Sequence, residues 1–115
     1  MRLFMPRDYK VYLDDILLAI SRIREYTAGL SSSEFAEDVK TVDAVVRNLE
    51  VIGEAAKAVP EAIRSQHPEV DWKKLVGLRN ILIHEYFGVD SELIWDIIQN
   101  KLVTLEEQIR AMTNG

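Results

Sequence analysis

The chain has 115 residues, of which 48% are hydrophobic and 29% charged, a balance typical of a single soluble globular domain spanning residues 1–115. It contains no cysteine, which excludes disulfides, thiolate metal sites and cysteine nucleophiles and fits a cytoplasmic protein. The net charge of −5 disfavours a protein that coats nucleic acid without regard to sequence. Any contact with nucleic acid must therefore be confined to a local site.

Neither a membrane span nor a secretory signal is predicted. The longest apolar run is Ile16 to Ile20, far short of the roughly 20 residues that cross a bilayer. The first residues hold no apolar segment long enough for a signal peptide.

Apolar residues recur at three- and four-residue steps, the period of an α-helix, and no segment alternates as a strand would. This pattern predicts a first helix from Asp8 to Thr27, ended by Gly29. The sequence Ser31-Ser32-Ser33-Glu34 has the form of a capping box and predicts the start of a second helix, which continues to Val59.

Three more helices are predicted in the second half of the chain. Pro60 interrupts the second helix and opens a short third one, which ends before His67. Asp71 caps a fourth helix over 72–87, and a fifth, capped at 90 or 91, reaches Met112. Helices joined by short loops predict an all-α fold, an antiparallel four- to five-helix bundle.

Arg79 interrupts the apolar face of the fourth helix, where its neighbours are Leu75 and Ile83. Burying an unpaired guanidinium costs several kcal/mol, so an anion or water must lie close to this side chain. His84 lies about 140° away around the same helix, so the two side chains diverge if the helix is straight.

The fourth helix is apolar nearly all round, because Leu78 and Ile81 fill its remaining sides. Such a helix is expected to be buried both in its own bundle and against a partner subunit. A two-fold dimer would bring duplicate Arg79 and His84 side chains to a shared cleft. Alternatively, a bend after residue 83 would turn the His84 side chain in a different direction within one chain.

Residues 79–86, Arg-Asn-Ile-Leu-Ile-His-Glu-Tyr, resemble the Arg-x4-His-x-Tyr signature of HEPN-domain proteins of the HepT type. These are the toxin halves of HepT/MntA (type VII) toxin-antitoxin pairs. The similarity extends to Arg7-Asp8, to residues 47–55, to Trp72 and to residues 87–90, which follow the predicted motif helix. It therefore covers nearly the whole chain.

The resemblance implies a HEPN-like bundle that forms a homodimer and cleaves RNA at the dimer cleft without a metal or cofactor. It assigns catalysis to Arg79 and His84. It also implies a minimal nucleotidyltransferase antitoxin, MntA-like, that silences the nuclease by adenylylating the motif tyrosine, here Tyr86. The alternative function is a non-catalytic helical binding module that assembles with a nucleotidyltransferase.

The two motif side chains suit metal-free RNA cleavage, which needs a base for the 2′-hydroxyl, a cation beside the phosphorane and an acid for the leaving oxygen. A histidine can act as the base or as the acid, and an arginine can provide the positive charge beside the phosphorane. The structural alternatives are His84 as a hydrogen-bonded interface residue and Arg79 as the ion-pair partner of Glu50 or Glu54.

Two further motif residues each have two interpretations. Asn80, one turn before His84, either holds the imidazole in one tautomer or hydrogen-bonds across the interface. Tyr86 is either a core aromatic whose hydroxyl reaches the surface or an accessible acceptor for AMP beside Arg79.

Outside the motif, Lys73, Lys74 and Arg64 form either a local phosphate patch for RNA or an ordinary solvated surface. Glu50 and Glu54 could form an acid/base pair, but basic residues at helical spacing favour a salt-bridged face. No His-x-x-x-His pair occurs, so no metal site is predicted.

Overall fold

The computed structural model describes residues 8–84 and 90–114, with the backbone alone at 79–84. The described segments are helical and contain no β-strand, which confirms the predicted fold class. The helices are α1 (Tyr9–Thr27), α2 (Ser32–Glu37), α3 (Val39–Ala58), α4 (Glu61–Ser65), α5 (Trp72–His84), α6 (Ser91–Asp96) and α7 (Leu102–Asn114). A π-helical turn (Ile97–Lys101) joins α6 to α7.

Four of the predicted helix boundaries are confirmed by their local geometry. Gly29 ends α1 with a φ of 78°, a left-handed conformation that favours glycine. Ser31 Oγ accepts a hydrogen bond from the amide of Glu34, whose carboxylate accepts one from the amide of Ser31. Asp71 and Asp90 each accept a hydrogen bond from the amide three residues on, at 3.2 and 3.1 Å. Each cap satisfies an amide that the first helical turn leaves without a partner.

The prediction of one continuous helix from the capping box to Val59 is wrong, because the backbone breaks at Asp38. This residue leaves the helical region, with a ψ of 87°, and caps a new helix. Its Oδ1 accepts from the amide of Thr41 at 3.1 Å, and its Oδ2 accepts from the Thr41 hydroxyl at 2.7 Å. These hydrogen bonds, with the side-chain bond as the largest cause, hold the pKa of Asp38 below its usual value.

Helix α3 lies at the centre of the bundle, packed along α1 on one side and α5 on another, while α7 packs on α1. Arg24 near the end of α1 pairs with Glu106 near the start of α7, with 2.8 Å between Nη1 and Oε1. The rings of Phe35 and Trp95, 5.3 Å apart, join α2 to α6. One aliphatic core results, whose largest fully buried side chains are Phe35, Leu13, Ile16, Ile20, Ile23, Leu49, Ile52, Ile109, Val45 and Val59.

The side of the bundle between α5 and α7 is more open than the sides where α3 packs on α1 and on α5. Among the described residues, α5 packs extensively on α3 but only sparsely on α6, the π turn or α7. A groove of about 500 Å³ occupies this side. None of the described helices combines the length and the apolar character needed to cross a lipid bilayer.

Candidate active site

The helix that carries the motif is anchored at its start. Trp72, the first residue of α5, is buried, and its indole Nε1 donates to the carbonyl oxygen of His67 at 3.0 Å. Together with the Asp71 cap, this contact ties the preceding loop to the first turn of α5. The helix then runs without interruption to His84, so the motif positions from Arg79 to His84 lie on one helix.

Arg79 and Asn80 lie in the middle of α5, and His84 is the last residue of its described range, Trp72–His84. Five residues of continuous helix separate positions 79 and 84 by about 140° around the axis and roughly 7.5 Å along it. The predicted divergence of these two positions therefore holds for the backbone. Tyr86 lies outside the described residues.

The turn before the motif is only partly covered by the rest of the chain. Residues 75–78 point in four directions around α5, and all four are half-buried. Among the residues that the structure describes, no atom lies within 4 Å of a Cβ built on Gly77, so packing in that part of the chain does not require glycine there. Helix α5 is thus partly accessible on every side at this level.

Of the predicted phosphate-binding residues, Lys73 and Lys74 are exposed on the first turn of α5. The Lys74 ammonium lies 3.7 Å from the carboxylate of Asp71. Arg64, on the preceding helix α4, is half-buried. Its Nε is buried and has no hydrogen-bond partner within the part of the chain that the structure describes.

A second groove, of about 390 Å³, lies between α1 and α3. It brings Glu50 and Glu54 together with Arg47 from α3, and with Tyr12 and Asp15 from α1. Tyr12 and Asp15 were not predicted as part of this site, although the three-residue step between them places both on one face of α1. Across 8–84 and 90–114, no three His, Asp or Glu side chains converge as metal ligands would.

Comparison with known proteins places this chain in a family. The family model described as ribonuclease HepT-like matches residues 16–112. A candidate RNase of Methanocaldococcus jannaschii is 46% identical over 85% of this chain and 82% of its own. A candidate ribonuclease HepT of Thermococcus cleftensis is 41% identical over 89% of this chain and 93% of its own.

A further relative, a candidate RNase of Caldanaerobacter subterraneus subsp. tengcongensis, is 41% identical over 86% of this chain and 88% of its own. No solved structure matches the chain at a significant level. The family model covers most of the chain, and each of these relatives is matched along most of its own length. The chain therefore belongs to the HepT-like ribonuclease family.

Proposed function

We propose that this protein is the toxin of a type VII toxin-antitoxin system, a metal-independent endoribonuclease with a composite site of Arg79 and His84 at a homodimer cleft. The observation that carries the proposal is the placement of the Arg-x4-His positions on one uninterrupted helix, in a chain whose family model is that of HepT-like ribonucleases. Three relatives named as RNases, each at least 41% identical to this chain, support the same activity.

The proposed reaction uses the 2′-hydroxyl of RNA as the nucleophile. The 2′-oxygen attacks the adjacent phosphorus as its proton passes to a base, and the bond from phosphorus to the 5′-oxygen breaks as that oxygen takes a proton from an acid; His84 fills one of these two roles and water fills the other. Arg79 stays charged and offsets the negative charge on the phosphorane, which its planar guanidinium fits in a bidentate manner. Asn80 positions the imidazole. The products are a 2′,3′-cyclic phosphate and a free 5′-hydroxyl.

The dimer is part of the proposal because one helix separates its two motif positions by about 140°. In a two-fold dimer each site can combine Arg79 of one chain with His84 of the other. The half-buried turn at 75–78 supports this arrangement, since its apolar side chains would be covered by a second subunit.

The remaining contacts with RNA are assigned to Lys73, Lys74 and Arg64. Lys73 and Lys74 are exposed at the start of the motif helix, where their ammonium groups can neutralise phosphates beside the scissile bond. Because the net charge is −5, these residues provide a local patch rather than a broadly basic face.

The proposal is tested by incubating the purified, unmodified protein with labelled single-stranded RNA in excess EDTA. We expect cleavage that leaves cyclic-phosphate ends, since the proposed groups include no metal. A protein that forms a stable complex with a nucleotidyltransferase but never cleaves RNA would instead support the binding-module alternative. Cleavage that EDTA abolishes and Mg²⁺ restores would rule out the metal-free chemistry.

The proposed regulation is transfer of AMP to Tyr86 by a minimal nucleotidyltransferase antitoxin, MntA-like. The tyrosine oxygen attacks the α-phosphorus of ATP, pyrophosphate leaves, and the added phosphate carries negative charge into the site. That charge pairs with Arg79 and blocks the approach of RNA.

We expect the antitoxin and ATP to add one AMP per chain and to abolish RNA cleavage, and we expect Tyr86→Phe to escape both effects. Intact-protein mass spectrometry measures the label, and the RNA assay measures the silencing. The control is Tyr26→Phe, which changes a tyrosine that is 40% exposed on α1 and should leave labelling intact. Labelling of the Tyr86→Phe protein would contradict the assignment.

A further inference from the structure

The groove on the open side of the bundle has an apolar floor. It is formed by Leu75 and Leu78 from α5 and by Ile97, Leu102 and Leu105 from the final helical run. Of these, Leu75, Leu78 and Ile97 are only half-buried, although each packs against the core. The groove therefore leaves aliphatic surface accessible on the helix that carries the motif, directly before Arg79.

The rim of this groove carries two carboxylates and two ammonium groups. Glu69, Asp71 and Lys74 lie at one end, where Lys74 is 3.7 Å from Asp71 and partly neutralises it. Glu69 is left as the excess negative charge at that end; its nearest described partner is His67 Nδ1, at 3.3 Å. Lys101 is exposed and has no ion pair among the described residues.

The acidic and basic charges are separated along the groove. Gln108 Nε2 donates to the carbonyl oxygen of Glu69 at 2.8 Å, so Glu69 lies beside residue 108. Lys101 is seven residues before Gln108 in the same helical run, so roughly 10 Å along the helix axis separate positions 101 and 108. A two-fold axis through the middle of the groove would place Glu69 of one chain over Lys101 of the other, twice per dimer.

We infer that this groove is the docking face for a second copy of the chain, held by reciprocal Glu69–Lys101 ion pairs around the aliphatic floor. The inference deepens the proposed function, on whose homodimer it rests, by naming the surface that forms it. A contact here covers Leu75 and Leu78 and brings the two motif helices together at the positions that precede Arg79.

A second copy fits this groove better than RNA does. The two positive and two negative rim charges cancel, so the rim as a whole does not attract a polyanion. The described lining includes no aromatic ring on which a base could stack. A rim with opposite charges at its two ends is instead self-complementary under a two-fold rotation.

The test reverses the rim charges and measures dimer dissociation by analytical ultracentrifugation at low salt. Glu69→Lys and Lys101→Glu each place like charges opposite one another twice per dimer, so we expect either variant to raise the dissociation constant about tenfold. The double variant restores both attractive pairs and should return to within about threefold of the wild-type value. As controls, Glu107→Lys and Lys40→Glu reverse exposed charges that do not line the groove and should leave dissociation unchanged.

Mixing the two single variants tests the reciprocal ion pairs most directly. One chain with Glu69→Lys and one with Lys101→Glu form two attractive pairs, so native mass spectrometry should show mostly heterodimer. A statistical mixture, single variants that dimerise as tightly as the wild type, or a wild-type chain that stays monomeric would overturn the inference. These measurements use no RNA, so a dimer specified by this groove but inactive on RNA would leave the inference standing and remove the ribonuclease proposal.

Discussion

Replacing His84 by alanine is expected to reduce RNA cleavage in EDTA by about 10²–10⁴-fold, the usual contribution of a general acid or base. Arg79→Ala is expected to cost about 10²–10³-fold, because the phosphorane loses its positively charged hydrogen-bond donor. Initial rates on a labelled RNA oligonucleotide, measured at saturating enzyme, report both losses on the chemical step.

The matched control is His67→Ala, which removes the chain's other histidine. Its side chain lies in a loop beside Glu69, and the contact that anchors Trp72 uses the backbone carbonyl, which the substitution retains. Full activity in His84→Ala would remove the proposed mechanism. If Arg79→Ala dissociates the dimer as strongly as it lowers cleavage, the arginine has a structural role at the interface.

Mixing the two inactive variants is expected to restore activity if each site takes Arg79 from one chain and His84 from the other. In a heterodimer of Arg79→Ala and His84→Ala chains, one site loses both groups and the other keeps both. Random exchange makes half of the dimers hetero, so we expect about a quarter of wild-type activity, far above either variant alone.

The measurement requires subunit exchange, achieved by dilution below the dimer dissociation constant and reconcentration, with native mass spectrometry to count heterodimers. Cleavage that stays at the level of the separate variants, despite abundant heterodimer, would place both groups in the same chain's site. Mixing Arg79→Ala with a double variant lacking both groups is the negative control, because it leaves no site complete.

Helix boundaries were predictable from sequence where one residue determines the local hydrogen bonding. The capping box at Ser31, the caps at Asp71 and Asp90 and the left-handed Gly29 each satisfy or end a turn by themselves. The break at Asp38 was missed because Phe35, on one side of it, and the apolar residues of α3, on the other, keep the helical spacing. The Asp-x-x-Thr pattern that caps α3 was the available signal.

The π turn was missed for a related reason. Buried Ile94, Ile98, Leu102 and Leu105 follow one another at steps of three and four residues, so their spacing predicts an uninterrupted helix. The widened turn shows in backbone hydrogen bonding rather than in the order of apolar residues, as when the amide of Leu102 bonds to the carbonyl of Ile97.

The all-α class, most helix ends and the place of the motif on the fourth predicted helix follow from the order of the residues, because local hydrogen bonds and the 3.6-residue period depend on neighbours in the chain. That α5 packs mainly on α3 and leaves a groove towards α7 follows only from the packing of the folded chain. Residues 69–78 and 97–108 meet there although some twenty residues separate them, and such a meeting depends on how whole helices pack around a shared core.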